Sequence, residues 1–255
     1  MAEYSIYALK YAGPFPRHTP LLIWFKDRDQ VTAIGYFIWC IRGGDETVVV
    51  DAGVGPELAR ERALESYVSP AEVLLRLGVR ADSVQHVILT HLHWDHADGA
   101  SLFPNARFYI QQEEWDFWTR DPVARRPPFQ HVSNARSRAY VESLADTERI
   151  VLLPGEAEIR PGIVCLPAPG HTPGLQAVAV ETARGTAILG SDCAHIFRNY
   201  REDWPSALIT DMRAWLRTYD YLRVRVSAPE LLFPGHDLAM LTEYPQVAED
   251  VSRLV

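Results

Sequence analysis

The chain has 255 residues, of which 47% are hydrophobic and 23% charged, a length and balance that fit one large globular domain and exclude disordered and fibrous classes. With 25 basic against 33 acidic side chains the formal charge is −8, which opposes a nucleic-acid partner because polyanion binding needs a concentrated basic surface. No run approaches the roughly 18 apolar residues of a membrane span, and Met1 to Tyr11 lacks the charged and apolar regions of a secretion signal, so we expect a cytoplasmic protein with no membrane partner.

The first fifty residues read as strands: Tyr4–Leu9, Leu21–Phe25, Thr32–Ile41 and Thr47–Val50 are rich in Ile, Val, Tyr, Phe and Trp, with a turn at Gly43-Gly44-Asp45. Ser69-Pro70 marks a helix start before Ala71–Leu77, and Gly78 its stop. Val84–Leu89 is a buried strand that leads directly into His91. After a strand at Phe108–Gln111, an aromatic-rich insert at about 112–147, broken by Pro127-Pro128, is expected to be part helix and part loop and to lie over the site. Strands return from Ile150 to Leu189, a helix spans Asp211 to about Val226, and Leu231–Phe233 is a last short strand. Two successive sets of strands and helices within one domain, residues 1–255, predict an α/β chain folded as an αββα sandwich.

The informative segment is Thr90-His91-Leu92-His93-Trp94-Asp95-His96, which puts four metal-competent side chains within six residues directly after an apolar strand. Gly170-His171-Thr172-Pro173-Gly174, Gly190-Ser191-Asp192 and Pro234-Gly235-His236-Asp237 each add a candidate ligand on a glycine-containing turn beyond a strand. The cysteines Cys40, Cys165 and Cys193 show no C-x-x-C spacing, so neither a disulfide framework nor a zinc ribbon is expected. Imidazole and carboxylate donors suit zinc, manganese, iron or cobalt at an open, catalytic centre.

This pattern, together with Asp51-Ala52-Gly53 after Val48–Val50, resembles the metallo-β-lactamase-fold hydrolase superfamily, and in length and layout the chain is most similar to the N-acyl homoserine lactonase-like subgroup. The resemblance spans about Val48 to Asp237. It implies two divalent metal ions, most often zinc: His91, His93 and His171 would hold one, Asp95, His96 and His236 the other, and Asp192 would bridge them with a hydroxide. Asp51 would orient the ligands from behind. Asp95, Asp192 and His195 are the expected catalytic residues, although the lactonase pattern implies a tyrosine where this chain has His195. Tyr200, Arg198 and Arg201 follow closely and are candidates for the missing donor.

The expected reaction is hydroxide attack on the carbonyl of a lactone or small ester. Alternatives are a phosphotriester, phosphodiester or glyoxalase II-like thioester hydrolase, and a non-catalytic metal-binding scaffold of the same fold. Trp115, Phe117, Trp118, Phe129, Phe197 and Tyr200 are expected to line an apolar pocket for a small-molecule substrate. A homo-oligomer is compatible with the sequence.

Overall fold

A computed structural model describes residues 3–133 and 135–255. The chain opens with antiparallel strands β1 (Ser5–His18), β2 (Val31–Gly43) and β3 (Glu46–Val50), with one helical turn, α1 (Thr19–Leu22), between the first two. Helices α2 (Pro56–Glu61) and α3 (Pro70–Leu75) precede β4 (His86–Ile88), the short α4 (Trp94–Ala97) and β5 (Arg107–Gln111). The insert folds as α5 (Gln112–Arg120), α6 (Pro127–Val132) and α7 (Ala135–Ser143), and leads to β6 (Ile150–Leu153). Strands β7 (Ala157–Arg160), β8 (Ile163–Pro167), β9 (Gln176–Thr182) and β10 (Gly185–Ser191) follow. The chain ends with α8 (Phe197–Arg201), α9 (Met212–Arg223), β11 (Leu232–Pro234), α10 (Ala239–Thr242), β12 (Gln246–Ala248) and β13 (Val251–Arg253).

Among the described residues the strands form two mixed sheets, one ordered β12-β13-β1-β2-β3-β4-β5-β6 and one ordered β11-β10-β9-β8-β7. The first is antiparallel up to β3 and parallel from β3 to β6; in the second only β10 and β11 run parallel. Side-chain alternation explains the layering. Phe37, Trp39 and Ile41 of β2 share a buried layer with Val178 and Val180 of β9 and Leu189 of β10, which is the space between the sheets. Their neighbours Ile38 and Cys40 point the other way and pack with Leu58, Val73 and Leu74 of α2 and α3. On the far side, Ala177, Ala179 and Ile188 meet Trp215, Tyr219 and Leu222 of α9. The result is an αββα sandwich.

One expected strand is not formed. Leu21–Phe25 is apolar enough for a strand, but Pro20 presets a helical turn, and the Ile23 N–H donates to the Thr19 carbonyl at 2.8 Å. The run then splits: Leu22 and Ile23 are buried, while Leu21, Trp24 and Phe25 face solvent. Helix α9 begins as read, with Asp211 accepting hydrogen bonds from the Arg213 and Ala214 N–H groups. Ser69 makes no such side-chain cap on α3.

Candidate metal centre

The site sits beyond the C-terminal ends of strands drawn from both sheets. β3 runs into Asp51, β4 into the His91–His96 loop, β8 towards His171, β10 into Asp192 and β11 into His236. Asp51 and Ser191 mark two of these exits with left-handed backbone (φ 63° and 47°), a conformation that costs energy in non-glycine residues and concentrates at functional turns. Gly235 is required for a different reason: a Cβ there would collide with Asp192 Oδ1.

The imidazoles are fixed from behind. His96 Nδ1 donates to Asp51 Oδ2 at 2.7 Å, His171 Nδ1 to the Leu208 carbonyl at 2.6 Å and His236 Nδ1 to the Gly35 carbonyl at 3.0 Å, which turns each Nε2 inward. Asp51 is fully buried and also accepts from the Thr90 N–H at 2.8 Å and the Thr90 hydroxyl at 2.9 Å, as its expected orienting position requires. The Tyr11 hydroxyl donates to the Asp95 carbonyl at 2.6 Å and steadies the other end of the loop.

Asp192 stands between two groups of donors. Its Oδ2 lies 3.3 Å from His171 Nε2 and 3.9 Å from His91 Nε2, while His93 Nδ1 is 2.9 Å from His171 Nε2. Its Oδ1 lies 3.0 Å from His236 Nε2 and 3.4 Å from His96 Nε2, with Asp95 Oδ2 at 3.6 Å from His96 Nε2. Donors bound at ~2.0–2.1 Å around a tetrahedral ion are separated by roughly 3.3 Å, so these spacings match the edges of two such polyhedra. Among the described residues, His91 Nε2, His96 Nε2 and Asp192 Oδ1 are buried without a hydrogen-bond partner, which is costly unless a cation satisfies them. The described residues therefore fit divalent metal ions held by nitrogen and oxygen donors.

Electrostatics agree. Burial holds the His91, His93 and His171 imidazoles below the usual histidine range, so they are neutral and their ring nitrogens are free to act as donors to a cation. Burial opposes charge on His96 and His236 as well, but Asp192 and Asp95 outweigh it and raise both. Burial alone would push the Asp192 carboxyl up; His236, His195 and His96 prevail and hold it well below the carboxylate range.

Residues 31–236 match the family model of the metallo-beta-lactamase superfamily. The chain belongs to this superfamily. An N-acyl homoserine lactonase of Bacillus cereus is 24% identical over 219 residues, covering 79% of this chain and 81% of the relative. A probable metallo-hydrolase of Mycobacterium tuberculosis is 27% identical over 193 residues, covering 66% of this chain and 61% of the relative. Among solved structures, an N-acyl homoserine lactone hydrolase with N-hexanoyl-L-homoserine at its catalytic metal centre superposes with a TM-score of 0.78 at 19% identity, over 97% of this chain and 98% of the other. The dizinc quorum-quenching lactonase AidC gives 0.67 at 17% identity, over 91% and 84%. At these identities the superpositions establish the shared superfamily fold.

The seven residues expected as ligands converge, and His195 joins them, its Nε2 3.4 Å from Asp192 Oδ2. Neither ring nitrogen of His195 has a hydrogen-bond partner among the described residues, and burial takes its pKa down to about 3. Above the donors lies a cleft of about 360 Å³ whose apolar wall is Leu21, Leu22, Ile34, Val132 and Leu208. The aromatics expected to line it lie elsewhere. Trp115 and Trp118 are buried in the core beneath the insert, where Trp118 packs edge-on against His93 and against Phe117 and Phe129. Phe197 belongs to the layer between the sheets, and Tyr200 packs on Tyr219 under Arg223. The physical reason is helix α5: the rings of an amphipathic helix face the core, and among the insert's described residues only His131 and Val132 reach the cleft. Arg198 is engaged by Asp27 and Glu202, and Arg201 lies over Phe197, so neither lines the cleft.

The structure also identifies Glu114, which the sequence reading passed over. It is fully buried, and its carboxylate accepts from the Leu92 N–H at 2.9 Å and Trp118 Nε1 at 2.7 Å on one oxygen, and from the Thr172 hydroxyl at 2.7 Å and the Gly174 N–H at 3.1 Å on the other. It thus ties the His91–His96 loop to the His171 loop. The available signal was an acidic residue on the apolar face of α5, four positions before Trp118.

Proposed function

We propose that this metal-dependent ester-bond hydrolase opens lactones or small esters with a pair of divalent metal ions, zinc being the first choice. The observation that carries the reading is the position of Asp192, whose two carboxylate oxygens face separate donor groups at the floor of an apolar-walled cleft. The lactonase names of the relatives support the choice of substrate. His91, His93 and His171 would hold one ion, Asp95, His96 and His236 the other, with Asp192 between them. Such ions, when bound, polarise a carbonyl and supply hydroxide near neutral pH.

The remaining work falls to the chain's own residues. Leu21, Leu22 and Leu208 bind the apolar part of the substrate and exclude water, which strengthens every electrostatic contact in the cleft. Asp51 keeps the His96 ring from rotating, and Glu114 holds the two ligand loops in register. His195, buried and neutral, has one N–H to donate, and its place on the cleft wall suits it to the carbonyl oxygen or to the departing alkoxide. A small-molecule substrate is the only partner this reading needs.

The test is turnover of metal-reconstituted protein on matched N-acyl homoserine lactones, aryl esters, thioesters and phosphotriesters. The expected order places a lactone or aryl ester first in kcat/KM. A phosphotriester or thioester preferred by tenfold or more overturns the assignment.

A further inference from the structure

The wall of the cleft carries a second chemical character besides its apolar one. Arg17, from the end of β1, and Arg62, which closes α2, both line it, together with Tyr36 of β2. Among the described residues neither guanidinium makes an ion pair, in contrast to Arg76, Arg136, Arg160, Arg198 and Arg223, each of which has a carboxylate. They are held by aromatic faces instead. Arg62 stacks 4.0 Å from the Trp94 ring centroid and Arg17 sits 5.5 Å from that of Phe15. Stacking occupies the flat face of a guanidinium and leaves its in-plane N–H donors to acceptors; Arg17 gives one to the Pro16 carbonyl at 3.1 Å and one to Tyr36, while among the described residues those of Arg62 meet no acceptor.

Tyr36 completes the arrangement. Its hydroxyl oxygen accepts from Arg17 Nη2 at 3.2 Å, so its own hydrogen is available to a further acceptor. The ring is pinned by Phe15 at 4.8 Å, Trp94 at 5.5 Å and His236 at 5.4 Å, which sets this group of donors beside the candidate metal centre. Asp95 and Asp192 are the carboxylates on the cleft wall, and both belong to the donor set, where cations, when bound, would offset their charge.

We infer that Arg17, Tyr36 and Arg62 form an anion subsite, and that the preferred substrate is an ester or lactone carrying a carboxylate or phosphate group away from its scissile carbonyl. The inference rests on the ester reading above and narrows it. Apolar atoms of the substrate lie against Leu21 and Leu208, its carbonyl lies at the donor floor, and its anionic group meets the forked donors of Arg62, the Tyr36 hydroxyl and the remaining donors of Arg17.

The experiment compares, on metal-loaded protein, the 4-nitrophenyl monoesters of glutaric, adipic and suberic acids, their neutral methyl esters, and phosphate-terminated analogues of the same lengths. Wild-type protein is expected to favour at least one anionic ester over its neutral partner by about tenfold in kcat/KM, the scale of one charge-assisted hydrogen bond. In the double variant Arg17→Gln/Arg62→Gln that ratio should fall below about threefold, with Tyr36→Phe between the two. The carboxylate and phosphate arms show which anion fits better. No preference for any anionic ester in the wild type, or a preference that survives the double substitution, overturns the subsite. Calorimetric titration with the non-hydrolysable adipic acid monoanilide separates the two readings. If no ester is turned over, the ester assignment falls, while monoanilide binding that the double substitution weakens about tenfold still sustains the subsite.

Discussion

Gly174 packs so tightly against Glu114 that a Cβ on the glycine would overlap the Glu114 amide nitrogen, and the Gly174 N–H donates to the Glu114 carboxylate at 3.1 Å. The first helix of the insert is thereby joined to the loop that presents His171. Glu114→Gln keeps the shape but turns an amide donor towards groups that themselves donate, leaving at least one buried group unsatisfied. The expected cost is about 1–3 kcal/mol of stability. Metal affinity should fall by about 10–100-fold, because the ligand loops lose their shared register. Chemical denaturation and metal titration measure the two effects, and wild-type values in both would remove Glu114 from the positioning role.

The convergence of the seven expected ligands implies about two metal ions per chain after reconstitution, a number that elemental analysis reads directly. Chelation should lower Tm, since ions bound only by the folded state stabilise it by about 4 kcal/mol at a thousandfold excess over Kd. Asp192→Asn should reduce turnover by orders of magnitude and lower metal content. Near wild-type kcat in that variant would be incompatible with a carboxylate shared by both donor groups.

Asp51→Asn tests orientation without touching a proposed ligand. The amide can present a donor to His96 Nδ1 where the carboxylate presents an acceptor, so the ring loses the partner that aims its Nε2 inward. Metal affinity is expected to drop by about 10–100-fold. The measurement is competitive titration against a chromogenic chelator, and unchanged affinity refutes the role.

His195→Ala should lower kcat by about 10²-fold or more while two metals remain bound, the usual scale for losing a positioned proton donor. Loss of metal in this variant would make His195 a ligand instead, which its 3.4 Å separation from Asp192 Oδ2 also allows.

Trp118→Ala should cost about 3–5 kcal/mol of stability because the ring is fully buried, whereas Leu208→Ala on the cleft wall should act on KM. A large KM change for Trp118→Ala with stability intact would return the insert aromatics to the substrate pocket.

The convergence of the candidate donors and the sandwich were legible in the sequence for one physical reason. Only a few side-chain types, His, Cys, Asp and Glu, serve as strong metal donors, and strands that are buried on both faces leave apolar runs such as Val87–Leu89 ahead of them. The cleft was not legible. Trp115 and Phe197 belong to elements whose facing depends on packing, and nothing local to the chain distinguishes an aromatic that fills a core from one that lines a cavity. Arg17, Tyr36 and Arg62 are distant in sequence and meet only because β1, β2 and α2 crowd the same strand ends. The misread segment Leu21–Phe25 has both a local and a distant cause: Pro20 starts a helical turn there, and the Leu21 carbonyl and Trp24 N–H are taken up by Ala207 and Pro205, far along the chain.

The donors are contributed by both sheets, with the His91–His96 loop on one and His171, Asp192 and His236 on the other. During synthesis the first loop leaves the ribosome long before its counterparts, and during that interval it has histidines but no carboxylate from β10 to complete either donor group. Metal capture by the finished centre is therefore late in the life of a nascent chain. It requires the closing of one sheet over the other, because His171, Asp192 and His236 reach the first loop only then.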